Sequence, residues 1–561
     1  MPALIECVPN FSEGRDPELI RRITDRIQSV GGATLLHVDR GVATNRTVVT
    51  FAGAPEPVVE AAFRAIRAAA ELIDMRGHQG EHPRMGATDV CPLVPVSGIT
   101  LEETAALART LAERVGRELA IPVYLYEAAQ PNPARRNLSL IRAGEYEGLA
   151  EKIRRPEWRP DFGPAEFVPR SGAAVIGARD FLVAFNVNLN TSSTRRANAI
   201  AFDVRELGRP RREGHPVTGK VVTDPQGQPV MIPGSLRAVK AIGWYIAEYG
   251  IAQVSMNLTD ISVTPLHAAF DEVCHRAEAR GVRVTGSELI GLVPRSALLD
   301  AGRYFLRKQQ RSTGVAESEL IRIAVKTMGL DQLAPFDPAE RIIEYRLQRA
   351  EDQRLARLTV TGFVDETASE SAAPGGGSVA ALVGAMGAAL GTMVANLSAH
   401  KPGWDDRWEE FSRWAELGQG FKDELVRLVD DDTRAFNQVM AALGMPKGTA
   451  EEKAARRAAL DQANRGAIAV PFRVMQVAAE SFDLLDAMAR TGNPASVSDA
   501  GVGAICARAA VRGAWLNVRI NLPGLADRAS ADAMVAEGER LARVSEERER
   551  AVLAIVEAKL K

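Results

Sequence analysis

The first half of the chain alternates short runs of strand character with longer segments whose apolar residues recur at helical spacing. Residues 33–38 (ATLLHV) and 46–51 (RTVVTF) read as strands, and residues 55–75 read as a helix that opens on proline. Residues 90–96, a helix over 101–119 and the run 122–126 (PVYLY) continue the alternation, which predicts an α/β unit with a mixed sheet. A stretch rich in Pro, Trp and Arg, 154–169, is expected to end that unit. A second unit opens with 181–189 (FLVAFNVNL) and holds another strand at 252–257 and a helix over 265–280. Residues 208–233 are polar and rich in Pro and Gly, and predict a surface hairpin insertion. The chain then breaks at Pro335-Phe336-Asp337-Pro338. A charged run follows (Arg346, Arg349, Glu351, Asp352, Arg354, Arg357), expected to be a solvated helix face. Past Thr361 strand signals largely vanish and the sequence reads as helix. The predicted architecture is multidomain: two α/β, mixed-sheet subdomains (1–178 and 179–334), a linker (335–358) and an all-α helical bundle (359–561).

At 561 residues the chain is too long for a single core. A formal net charge of −2 argues against general nucleic-acid binding, which needs a basic footprint, while leaving room for a local anion site. Cys7, Cys91, Cys274 and Cys506 lie far apart with no C-x-x-C pair, so no zinc or redox signature exists and reduced thiols in a cytoplasmic protein are expected. The N-terminal MPALIE lacks the basic and long apolar regions of a signal peptide. Residues 379–397 carry no charge and nearly reach membrane-spanning length. They are built from Ala and Gly, without aromatic belts or an adjoining basic cluster, so the expectation is no membrane span but a bundle helix buried on all sides.

Candidate chemistry clusters in a few places. GEHPRMGATDVCP (80–92) sets His82 between charged and turn-forming residues, in a chain with seven histidines. It is either a surface turn that carries a His or a group that moves protons near neutral pH. CVPNFSEG (7–14) ends the first strand, and Asp39 is expected just past the second, where α/β folds bind ligands. Asp39 is then either an orienting partner for His82 or a turn or cap residue. Residues 161–172 are expected to join the two α/β units, as a plain linker or as a loop able to hold a flat heteroaromatic ligand. In the helical half, Asp432 falls on the apolar stripe formed by Leu425, Leu428, Val429, Phe436, Val439, Met440 and Leu443, while Asp430 and Asp431 lie off it and are expected to be solvated. A carboxylate on an apolar face is costly to ionise, which makes Asp432 a candidate proton donor or acceptor, or else a buried cap of a neighbouring helix. Pro374-Gly375-Gly376-Gly377-Ser378 precedes the Ala/Gly helix and is either an anion-binding helix start or a hinge.

These motifs together resemble the formimidoyltransferase-cyclodeaminase family. The front half carries the resemblance through ECVPNFSEG (6–14), VDRGVATNRTVVTF (38–51), GEHPRMGATDVCP, IRAGEYE (141–147) and DFGPAEFVP (161–169). The rear half carries it through SAAPGGGSVAA (371–381), LVDDDTRAF (428–436) and NPASVSDAGVGA (493–504). The resemblance implies transfer of a formimidoyl group from N-formimidoyl-L-glutamate to N5 of tetrahydrofolate. Cyclisation of the product to 5,10-methenyltetrahydrofolate with release of ammonia would follow. It assigns catalysis to His82, supported by Asp39, and to Asp432. Folate contacts fall to Gly163, Pro164, Ala165, Glu166, Phe167, Val168, Pro169, Arg170, Ser171, Gly172 and Gly234. It also implies that tetrahydrofolate is a polyglutamylated co-substrate, that neither step needs a metal or redox cofactor, and that the chain forms a ring-like homo-oligomer. A cleft with Arg135, Arg136, Arg154 and Arg155 would hold the anionic tail. The rear half also resembles methenyltetrahydrofolate cyclohydrolases, so hydrolysis in place of deamination, or a folate-binding scaffold with degraded chemistry, are the competing readings. Three departures stand out: His37 where relatives carry Asp, Thr433 where the motif has Ala, and the long 208–233 insertion.

Overall fold

A computed structural model describes residues 3–42, 45–79, 83–214, 219–347, 354–525 and 527–561 of the chain. The first sheet contains β1 (Leu4–Cys7), β2 (Asn10–Phe11), β3 (Ala33–Gly41), β4 (Arg46–Gly53), β5 (Thr88–Ser97), β6 (Val123–Glu127) and β7 (Ala174–Ala178). β1 and β2 both lie between β4 and β5, β3 covers the outer edge of β4, and β7 pairs in parallel with both β5 and β6. The helices Pro17–Gln28, Pro55–Leu72 and Leu101–Leu119 complete this layer. The last begins where Thr100 and Glu103 form a reciprocal capping box. Ile5, Phe11, Phe51, Phe63, Leu93 and Leu111 fill the core between these helices and the sheet.

The second sheet contains β8 (Val183–Leu189), β11 (Val239–Ile246), β12 (Ile251–Leu258) and β13 (Val284–Ile290), paired antiparallel in the order β11-β12-β8-β13. The 208–233 insertion is a hairpin, as its turn residues predict. Within it β9 (Arg209–Pro210) pairs with β10 (Met231–Ile232); residues 215–218 lie outside the described residues. Short helices, Pro338–Arg341 and Ile343–Leu347, follow the second sheet, with Ile342 and Ile343 fully buried. Of the charged run, Arg349, Glu351 and Asp352 lie outside the described residues.

The described residues beyond Thr361 form no strand, as the pattern predicts. The chain folds as two compact units, one of residues 1–298 with 325–347 and the other of 299–324 with 348–561. In the second, the helix Gly376–Ala399 packs against Trp408–Leu443 and Val497–Asn521. Its small residues allow the close approach: a Cβ on Gly387 would sit 2.8 Å from the carbonyl oxygen of Gly503. Among the described residues this is the one helix long and apolar enough to cross a membrane, and 61% of its most apolar window is buried in the unit. The expectation that it is buried on all sides is corrected. Met386, Met393 and Leu397 are exposed along one edge, because the Ala/Gly faces, not the large side chains, make the tight helix contacts.

Three further expectations change. Asp39 does not follow a strand but lies inside β3, which continues past a bulge at Leu35/His37 and pairs with β4 as far as Gly41. Residues 161–172 do not join the two α/β units; they connect β6 to β7 within the first sheet, where β7 is the parallel strand the sequence reading missed. Asp430 is not solvated. It is 4% exposed and accepts hydrogen bonds from the backbone N–H groups of Leu355 (2.8 Å) and Ala356 (3.1 Å), so Asp430 is the buried acid that ties down a neighbouring segment. Asp431 is half-buried and ion-paired with Arg434.

Candidate active sites

In the first sheet, directly opposed residues share a face. Asp39, Val48, Asn10 and Val90 form one such row across β3, β4, β2 and β5. Asn10 and Val90 line a cleft of about 920 Å³, together with Arg46, Pro83, Tyr126, Arg136 and Arg142 of the first subdomain and Arg179, Asp180, Lys240 and Asp260 of the second. Asp39 therefore stands on the cleft face of the sheet, exposed near its edge. His82 lies outside the described residues, but Pro83, which follows it, is in the cleft lining.

The chain after His82 is held by charge. Arg84 is 7% exposed and donates to Glu147 (2.6 and 3.0 Å), to Glu145 (3.2 Å) and to both the carbonyl and Nδ1 of His78 (3.2 Å each). An Arg Nε–H only donates, so His78 Nδ1 accepts; Nε2 then carries the proton and donates to the Asn45 carbonyl at 3.0 Å. Burial holds the His78 pKa below the usual range, which keeps that neutral tautomer in place. Further along, Met85 and Ala87 exchange backbone hydrogen bonds with Ser171 and Ala173. This pairing stitches residues 85–87 to the expected folate segment.

Residues 163–172 run along the surface beside Tyr146, whose ring stands 5.4 Å from that of Phe167 and whose hydroxyl donates to the Pro169 carbonyl. Gly163 (φ +81°) and Gly172 (φ +65°) hold left-handed backbone against Ile121 and Met85, where a Cβ would come within 2.2 Å of a carbonyl oxygen. The segment lies outside the lining of the 920 Å³ cleft. Gly234 is placed elsewhere, packed on the Arg205 carbonyl in the second subdomain. Of the four arginines expected along an anionic tail, Arg136 lines the cleft. Arg135 and Arg155 are already neutralised, by Asp161 (3.1 Å) and Glu151 (2.7 Å), and Arg154 is exposed.

The helical unit brings two of the predicted motifs into contact. Asp432 lies against the start of the Gly376–Ala399 helix, where Ser378 Oγ donates to its Oδ2 at 2.9 Å. Gly377 leaves no room for a side chain: a Cβ there would be 2.2 Å from Asp432 Oδ1. Burial pushes the Asp432 pKa up, and hydrogen bonds from Ser378 pull the other way. Thr433 Oγ1, the departure from the family motif, is 3.2 Å from Ser378 Oγ and leaves the carboxylate in place.

Sequence reasoning missed Arg46, Asp89, Arg142, Arg84, Glu147, His78 and Ser378 as individual residues. Asp89 offered a signal, a lone carboxylate opening an apolar strand, which must be paired if buried.

A mixed-sheet module with a cleft lined by cations and carboxylates and a helical bundle with a half-buried acid at a glycine-rich helix start define a two-module enzyme. Residues 4–179 match the family described as formiminotransferase domain, N-terminal subdomain, residues 184–348 match formiminotransferase domain, and residues 359–540 match formiminotransferase-cyclodeaminase. The chain is 46% identical to the formimidoyltransferase-cyclodeaminase of Gallus gallus over 528 residues, covering 94% of both chains. Its front half is 43% identical to the glutamate formimidoyltransferase of Thermoplasma acidophilum, covering 54% of this chain and 93% of that one. The rear is 42% identical to the methenyltetrahydrofolate cyclohydrolase of Methylorubrum extorquens over 183 residues, 33% of this chain and 88% of that one. The chain belongs to the formimidoyltransferase-cyclodeaminase family.

Proposed function

We propose that the α/β module transfers the formimidoyl group of N-formimidoyl-L-glutamate to N5 of tetrahydrofolate. The helical module then closes 5-formimidoyltetrahydrofolate to 5,10-methenyltetrahydrofolate and expels ammonia. In the first reaction His82 takes the N5 proton as the amine attacks the amidine carbon, Asp39 on the cleft face supports the imidazole, and the C–N bond to glutamate breaks as the imidazolium hands that proton to the departing glutamate nitrogen. In the second, Asp432 moves a proton during attack by N10 and delivers one to the departing nitrogen, since ammonia leaves readily only when protonated. Its raised pKa suits both halves of that exchange. The observation that carries this reading is the match to bifunctional relatives over 94% of the chain, with two of the three family motifs of the rear half meeting at Asp432 and Ser378.

The cations Arg136 and Lys240 along the cleft support a polyglutamylated folate. Free thiols at all four cysteines fit a cytoplasmic setting. Exposed apolar side chains such as Leu516 and Ile520 support a homo-oligomer. The test is a coupled assay on purified enzyme that follows 5-formimidoyl- and 5,10-methenyltetrahydrofolate separately, with ammonia measured in parallel. His82→Ala is expected to lower transfer about a hundredfold or more while externally supplied 5-formimidoyltetrahydrofolate is still cyclised; Asp432→Asn is expected to do the reverse. Transfer at the wild-type rate in His82→Ala, or methenyltetrahydrofolate hydrolysis without ammonia release, would overturn the corresponding half.

A further inference from the structure

Three side-chain oxygens form a short chain at the start of the Gly376–Ala399 helix. Ser378 is fully buried, and its Oγ stands 2.9 Å from Asp432 Oδ2 and 3.2 Å from Thr433 Oγ1. A serine hydroxyl has one proton to donate, and an ionised carboxylate only accepts. That proton therefore goes to Asp432, and Ser378 Oγ is left to accept from Thr433. The order runs from Thr433 to Ser378 to Asp432, and each bond polarises the next toward the negative charge. Gly377 closes the site on the other oxygen, where a methyl group would be 2.2 Å from Oδ1.

The elements packed around Asp432 bring few charges to it. The Gly376–Ala399 helix carries none. On the Trp408–Leu443 helix, Asp430 is held by the backbone N–H groups of Leu355 and Ala356, and Asp431 is paired with Arg434. The segment folded over that helix brings Arg354, paired with Glu366, and Arg357, while Asp365 and Glu370 are exposed. The Ala450–Glu480 helix runs antiparallel alongside, with Arg473 on Glu424 at 2.8 Å and Gly466 beside Gln438; the run GAIAVPF from Gly466 up to Arg473 is uncharged. Arg512 and Arg519 of the Val497–Asn521 helix are exposed. Burial pushes the Asp432 pKa up, and the hydroxyls are the polar counterweight. We propose that Thr433, acting through Ser378, is a positioning residue for Asp432: it fixes the direction of the Ser378 proton and so stabilises the carboxylate in its proton-accepting form. The importance of that form to catalysis rests on the proposed cyclodeamination, in which Asp432 moves the proton.

The test titrates Asp432 directly in the full-length enzyme. Infrared difference spectra of each enzyme against its Asp432→Asn counterpart isolate the carbonyl band of the protonated carboxyl, whose midpoint is followed with pH. Losing a hydrogen bond to the charged form raises a carboxyl pKa. Thr433→Val keeps the shape and removes the hydroxyl, and its midpoint is expected about half a pH unit above that of wild type. Ser378→Ala cuts the chain at its centre and is expected to raise the midpoint by about one unit, after which Thr433→Val adds nothing. Thr433→Ser is expected to restore the wild-type midpoint. kcat/KM for cyclisation of externally supplied 5-formimidoyltetrahydrofolate reports ionisation in the free enzyme, so its acid limb is expected to move up in step, a shift that a merely structural threonine would not cause. An unmoved midpoint in a folded Thr433→Val enzyme, or one that moves equally with and without Ser378, overturns the proposal. A band that moves while the activity limb stays fixed upholds the hydroxyl chain and overturns the reading of Asp432 as the base of cyclodeamination.

Discussion

Glu6 shows at the scale of one residue how burial writes a pH dependence into the fold. It lies on β1, 6% exposed, opposite Ala52 and Val94. Burial pushes its pKa up to about 7, with Arg179 pulling down and Glu344 adding to the rise. Between the ordinary carboxylate range and pH 7 the folded chain keeps a proton that the unfolded chain has released. Stability is therefore greatest below that window and falls as pH rises through it. Glu6→Gln removes the slope. The variant is expected to match wild type near pH 5 and to exceed it by about 1–3 kcal/mol at pH 8. Urea denaturation at the two pH values reads the difference, and an equal offset at both would show that ionisation of Glu6 is not the cause.

At the scale of elements, the start of the Gly376–Ala399 helix decides where Asp432 can stand. Gly377→Ala would place a methyl group 2.2 Å from Asp432 Oδ1, too close for either to keep its position. The variant is expected to lose cyclodeamination by at least tenfold, to be destabilised by roughly 1–3 kcal/mol, and to keep formimidoyl transfer. Wild-type ammonia release in Gly377→Ala would show that the contact is not needed. The helix periodicity in the sequence put Asp432 on a stripe that is buried only in its first half: Leu425, Leu428 and Val429 lie inside while Phe436, Met440 and Leu443 are exposed, because 3.6-residue spacing reports which side chains share a face and not whether another element covers it. It misjudged Asp430, since a side chain off the stripe is still buried when a segment from elsewhere, here Leu355 and Ala356, folds over it. β7 escaped notice for a related reason. AVIGA is short and apolar, and only its parallel partners β5 and β6, distant in sequence, make it a strand. The ion pairs of Asp89 with Arg46 and Arg142 were visible as motifs but not as pairs, because the three residues come from three separate elements.

At the scale of the molecule, sequence order and spatial grouping part company at residues 299–324, which pack with the helical unit although strands of the α/β unit precede them and its residues 325–347 follow. Ser312 and Thr313 are buried at 1% and 2% exposure, and the Thr313 backbone N–H donates to Ser412 Oγ at 3.0 Å. The Gly314 carbonyl accepts from Asn396 (2.8 Å) and Gln419 (3.1 Å), which binds this turn to both the Gly376–Ala399 and the Trp408–Leu443 helices. A Cβ on Gly314 would stand 2.2 Å from that of Ala415, so even alanine must push the turn out and break those bonds. Gly314→Ala is therefore expected to cost about 1–3 kcal/mol, and the loss falls on the helical unit, not on the unit whose sequence surrounds it. Heating the full-length variant and assaying both reactions after each step distinguishes the two. Cyclodeamination is expected to fail several degrees below its wild-type temperature while transfer fails where wild type does. If transfer fails first, residues 312–314 serve the α/β unit and the grouping by contact is wrong. If both hold to the wild-type temperatures, the turn has room that the geometry denies it.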